Sequence, residues 1–179
     1  MKRVALFFFT FVVIPGCSFS QSSHRFHIAG ENTAVFRPPF VLKLRIDKQH
    51  YYEERFEHIP YVADGAVYLF AGETLGVNLT IRADQILRIS YQPDLAKADI
   101  TFEFKQQQGQ SGLVMLLIIG NALKQKVRFD ALMTIPGDKE LHETSILPVG
   151  SGRTNTESWP HPIVQLKLEN FRFSESGVL

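Results

Sequence analysis

With a single cysteine, Cys17, in 179 residues, the chain has no partner for an internal disulfide and cannot build a zinc centre from several thiolates. It also lacks any apolar run of the ~20 residues that a membrane-spanning helix needs. The two longest runs are VALFFFTFVVI, Val4 to Ile14, and LVMLLII, Leu113 to Ile119. Neither sign of charge prevails: 19 lysines and arginines stand against 18 acids. That balance argues against a nucleic-acid partner held by bulk charge. No stretch sustains the 3.6-residue apolar period of an amphipathic helix, and neither a G-x-S-x-G elbow nor the lysine of a P-loop is present. What is there suits one folded domain, with 45% hydrophobic and 21% charged residues and enough length for one proper core.

The N-terminus reads as a targeting segment. Lys2 and Arg3 precede the apolar run from Val4 to Ile14, which is too short to span a bilayer and fits the hydrophobic region of a secretory signal peptide. Removing residues 1–16 takes away Lys2 and Arg3 and leaves 17 basic residues against 18 acidic ones. The run ends in Ile14-Pro15-Gly16-Cys17, which resembles the lipobox of bacterial lipoproteins. That resemblance covers residues 1–17 alone. It implies that Cys17 is acylated on sulfur by diacylglycerol, with chains such as palmitate, and becomes the mature N-terminus once the chain is cut just before it. Ser18 after it implies the periplasmic face of the outer membrane, so the chain would be a lipid-anchored protein of the cell envelope. An otherwise unexplained lone thiol in an exported protein agrees with this reading. Residues 17–36 are then a polar tether, and Arg37-Pro38-Pro39 stiffens the approach to a domain spanning residues 37–179.

From Phe40 onward the pattern is that of strands. Phe40, Leu42, Leu44 and Ile46 alternate with more polar neighbours, as do Leu75 to Ile81, Ile100 to Phe104, Val127 to Met133 and Val164 to Leu168. Ala66 to Ala71 and Leu87 to Tyr91 add two short strands. Leu113 to Ile119 reads as a strand buried on both faces. Asp64-Gly65, Gly72-Glu73 and Pro136-Gly137-Asp138 are turn signals. Gln49 to Pro60 reads as a loop or short helix, and Lys139 to Pro162 as a long irregular segment. The fold expected is all-β: an antiparallel immunoglobulin-like sandwich of seven or eight strands, with a partly open barrel second.

Chemistry is sparsely signalled. His24, His27, His50, His58, His142 and His161 show no ligand spacing with carboxylate support, so no metal and no cofactor is expected. Gly150-Ser151-Gly152-Arg153 could turn backbone amides and a guanidinium towards an anion. Trp159-Pro160-His161-Pro162 is the most distinctive stretch: its prolines hold the lone tryptophan in one pose, either as an interface anchor or as a plug for one end of the sandwich. Gln49 to Pro60 carries aromatic and charged residues that could bind protein or carbohydrate, or pack onto the sheet. The candidate binding residues are therefore Trp159, His161 and Arg153, with Cys17 as the lipidation site and no catalytic residue assigned. The expected partners are a membrane, through the lipid, and another envelope protein. The function expected is a non-enzymatic binding or assembly module; the alternative is a small hydrolase or ligand carrier with a pocket at one end of the sandwich.

Overall fold

The computed structural model describes residues 34–110 and 112–174. The lipobox, Cys17, His24 and His27 lie outside the described residues. Twelve strands follow one another: β1 Phe40–Arg45, β2 Tyr51–Phe56, β3 Val62–Ala63, β4 Ala66–Phe70, β5 Glu73–Arg82 and β6 Gln85–Gln92, then β7 Ile100–Gln108, β8 Leu113–Asn121, β9 Val127–Ile135, β10 Asp138–Thr144, β11 Thr154–Trp159 and β12 Gln165–Phe173. One 3₁₀ turn, Leu95–Lys97, is capped by the Asp94 side chain. The chain forms the expected all-β antiparallel sandwich, but with twelve strands in place of seven or eight. One sheet has the order β10-β9-β12-β4-β3, the other β11-β8-β7-β5-β6, and β1 pairs with β2 in a separate hairpin. All twelve strands belong to the compact unit Thr33–Leu179, which holds the whole of the described core and so has what a domain needs to fold by itself.

The core forms because the apolar rows of both sheets face inward, as a period of two dictates. Val67, Leu69, Leu166 and Leu168 from one sheet meet Leu75, Val77, Phe102, Phe104, Leu117 and Ile119 from the other, all at most 2% exposed. Phe102 reaches across to Phe129 and Phe171 with ring centroids 5.9 and 6.5 Å apart in edge-on contacts, the geometry aromatic quadrupoles favour.

Three stretches depart from the sequence reading. Gln49 to Pro60 contains β2, and Lys139 to Pro162 contains most of β10 and all of β11. Two of these are sheet edges, and β2 belongs to a two-stranded hairpin. Their sequences, YYEERF, DKELHET and TNTESW, are polar because few of their residues enter the core. The third departure is β8. Met115, Leu117 and Ile119 are buried while Leu116 and Ile118 are half-buried on the outward face, so this strand is covered on one side and not on both. Its unbroken apolar sequence places a row of aliphatic side chains on the outer surface of the sheet.

The sandwich has two distinct ends. At one, β4 turns to β5, β7 to β8 and β9 to β10, and the β1–β2 hairpin lies there. Leu42 and Leu44 point into the core, while Phe40 and Phe56 set their rings 5.0 and 4.7 Å from Phe70. The side chain of Gln106 clamps the hairpin: its Oε1 accepts from Arg45 N at 2.9 Å and its Nε2 donates to Arg45 O at 2.8 Å. At the other end lie the turns Asp64-Gly65 and Ala83-Asp84 and the connections from β6 to β7, β8 to β9 and β10 to β11.

Candidate functional site

The hairpin end carries two open grooves, one on each side of β1–β2. The first, about 350 Å³, has an apolar floor of Ile46, Leu113, Val114, Pro160 and Pro162 and a charged rim of Arg45, Asp47 and Lys48. The second, about 400 Å³, runs between Tyr52, Phe56 and the β9–β10 turn, with Glu53, Glu54, Asp138 and Lys139 around it. Both volumes lie at the lower end of the range for ligand pockets.

The rim of the first groove is held by Asp47, whose carboxylate accepts from the backbone N–H of Gln49 at 2.8 Å and of His50 at 2.9 Å. The His50 ring sits 2.8 Å from its other oxygen. Those contacts, the Gln49 amide first, draw the Asp47 pKa down from 3.8 to about 2. The turn after β1 is thus fixed by a side chain that stands in for backbone acceptors.

The floor owes its shape to Trp159. That residue is buried, 8% exposed, paired with Met115 of β8, and meets Phe104 edge-on at 6.4 Å. Its indole N–H donates to Thr144 Oγ1 at 2.8 Å. Thr144 ends β10, at an edge of one sheet, and Trp159 ends β11, at an edge of the other. The bond therefore ties the two sheets together along one side and fixes where Pro160-His161-Pro162 leaves the core. Trp159 acts from below the groove and does not line it. His161 is half-buried, with Nδ1 3.3 Å from the carbonyl oxygen of Pro162, a geometry that sets the proton on Nδ1.

Arg153 lies elsewhere. It precedes β11 at the end opposite His161, and the six residues of that strand separate the two by ~20 Å at the usual rise. Trp159 and His161 are brought together; Arg153 is not joined to them. The Gly150-to-Arg153 stretch is a tight turn in which two of the amides are engaged within the chain. Arg153 N donates to Gly150 O at 3.2 Å and Gly152 N to Leu123 O at 3.2 Å. Those two amides are therefore not turned towards an anion.

Of the other described histidines, His50 and His58 are exposed and His142 is half-buried. His142 Nε2 stands 2.9 Å from the Asp138 carboxylate at the margin of the second groove. The amide of Glu140 first, then this ring, holds Asp138 below the ordinary carboxylate range. Such a pair can relay a proton, but among the described residues no serine, threonine or tyrosine hydroxyl bonds to His142, as nucleophilic catalysis would require. No group of three or more metal-ligating side chains occurs among the described residues.

Two residues with large structural roles escaped the sequence reading. Arg37, 3% exposed, makes a two-pronged pair with Glu73 at 2.5 and 2.8 Å. It also donates to the carbonyls of Pro60 and Tyr68, with Tyr61 stacked 4.2 Å from its guanidinium carbon. Tyr61 in turn stacks on Tyr91 at 4.2 Å, and burial pushes the Tyr91 phenol up. Asn121, also 3% exposed, donates to the carbonyls of Gln125, Val149 and Gly150 and accepts from Leu123 N, which pins two loops together. The only available signal was Arg37 standing beside two prolines. Comparisons of the chain with family models, curated proteins and solved structures gave no match.

Proposed function

We propose that this chain is a lipid-anchored protein of the bacterial cell envelope, held through Cys17 on the periplasmic face of the outer membrane. Its sandwich binds an extended segment of another envelope protein as an assembly subunit, adaptor or inhibitor. The observation that carries the binding reading is the groove between the β1–β2 hairpin and the β7–β8 turn. Its aliphatic and proline floor suits apolar side chains, and Arg45, Asp47 and Lys48 on its rim offer both signs of charge to the polar groups between them. Pro160 and Pro162 fix their own φ and follow directly on the buried Trp159, so the floor loses little freedom when it is covered. An open groove with a rigid apolar floor and a mixed polar rim has the anatomy of a small protein interface.

The anchor has its own test. Growth with a clickable fatty acid should label the wild-type chain and leave Cys17→Ser unlabelled, because acylation needs the thiol. Equal labelling of the two would remove the lipid anchor from the account.

A further inference from the structure

The end of the sandwich away from the grooves carries six exposed cations, Arg82, Arg88, Lys124, Lys126, Arg128 and Arg153, none in an ion pair among the described residues. They converge there because the strand registers bring the β5–β6 tip, the β8–β9 connection and the start of β11 to one end. Two acids at this end are already engaged, Asp94 with Lys97 and Asp130 with Arg172. Asp99 accepts from Leu79 N and Glu169, which shares a groove with Arg88, pairs with Lys167. This leaves Asp64, Asp84 and, in a groove with Arg128, Glu143 as the exposed acids there. At the hairpin end the signs are mixed: Lys43 pairs with Glu53 and Arg55 with Glu57, and Arg45, Lys48 and Lys139 stand among Asp47, Glu54, Asp138 and Glu140.

Two further features belong to the cationic end. The β5–β6 tip leaves Ile81 37% and Leu87 51% exposed, aliphatic side chains next to Arg82 and Arg88. The first described residues also run towards this end. Phe36 pairs antiparallel with Pro60 and Tyr61 N donates to Val35 O, so the strand-like path of Ala34 and Val35 is directed towards the Asp64-Gly65 turn.

We infer that this end is a docking surface for an anionic lipid surface, the inference resting on the lipid-anchor reading for its orientation. Unpaired cations are drawn to anionic headgroups within a Debye length of ~10 Å, and the aliphatic tip can enter the headgroup layer. A soluble acidic protein would use the cations equally well but would give exposed Ile81 and Leu87 no apolar medium. Such a surface adds an electrostatic contact to the anchor's acyl chains and fixes which end of the domain faces the bilayer. It also turns the two grooves away from the membrane, towards a partner.

The test uses the compact unit Thr33–Leu179, free of any lipid, sedimented with vesicles of phosphatidylcholine alone or mixed with phosphatidylglycerol. Binding to the mixed vesicles only, weakened by salt, is expected. Each lost cation should weaken it roughly fivefold, so Lys124→Gln with Lys126→Gln should cost more than about tenfold. Lys48→Gln with Lys139→Gln, at the hairpin end, should cost nothing. Thermal melts of both pairs exclude loss of fold. Absence of binding to mixed vesicles, equal binding to both kinds, or equal loss from the two variant pairs would overturn the inference, as would capture of an acidic protein in place of vesicles. Because the unit lacks Cys17, none of these results bears on whether the full chain is acylated.

Discussion

At the scale of the residue, the strongest commitments are polar. Arg37 is buried with its charge matched by Glu73 and its remaining donors spent on carbonyls, and removing one member of such a pair leaves the other without its counter-charge. Arg37→Ala should therefore destabilise the domain by about 3 kcal/mol in urea unfolding, with part of that loss recovered when Glu73→Leu is added. A loss within about 0.5 kcal/mol, the range of an ordinary surface change, would deny the residue this role. Asp47 makes a second prediction. Its folded pKa is depressed from 3.8 to about 2, so its contribution is fully present above pH 4 or so and fades as pH falls towards 2. The amide resonances of Gln49 and His50 should titrate with a midpoint near 2; a midpoint near 4 would mean that the carboxylate does not hold the turn. Neither residue was legible beforehand, because a buried arginine and a capping aspartate look like their solvated counterparts until the chain is folded around them.

At the scale of the element, legibility follows burial. Central strands such as β5 and β7 alternate because one face enters the core, and their alternating parts, Leu75 to Ile81 and Ile100 to Phe104, were read, while their polar ends, Gln106 to Gln108 among them, were not. Strands β2, β10 and β11 were missed because a strand with few core contacts keeps polar residues, and charge along an exposed edge also discourages pairing with other chains. Turns divide the same way. Asp64-Gly65 adopts φ of 51 and 75° with residues suited to a two-residue hairpin. Ala83-Asp84 does the same work at φ of 49 and 56° with an alanine that gave no warning. Strand β8 misled in the opposite direction: a continuous apolar sequence implied two buried faces where one exists. Leu117→Asp should consequently unfold the domain, since a carboxylate would sit in a fully buried position, whereas Leu116→Asp on the half-buried outward face should lower the melting temperature only modestly. Equal losses in thermal melts of the two would contradict the alternation.

At the scale of the whole molecule, the sandwich is polarised. One end bears apolar grooves framed by mixed charge, the other exposed cations, and the Trp159 to Thr144 bond ties the sheets together between them. The sequence singled out Trp159-Pro160-His161-Pro162 as its most distinctive stretch, but it could not tell that the tryptophan is buried while the prolines line the groove. Nor could it tell that Arg153 belongs to the other end, since both facts depend on strand register. The most direct test of the binding role places a photo-crosslinking residue at Val114, on the groove floor, and in a separate variant at Thr80, exposed and remote from it, in the full-length protein in its native envelope. The account predicts that Val114 traps one partner through a single extended segment, mapped by mass spectrometry. Leu113→Glu should abolish that product without lowering the melting temperature, and Thr80 should trap none of it. Products spread over many proteins, a product indifferent to Leu113→Glu, or no product from Val114 would contradict it.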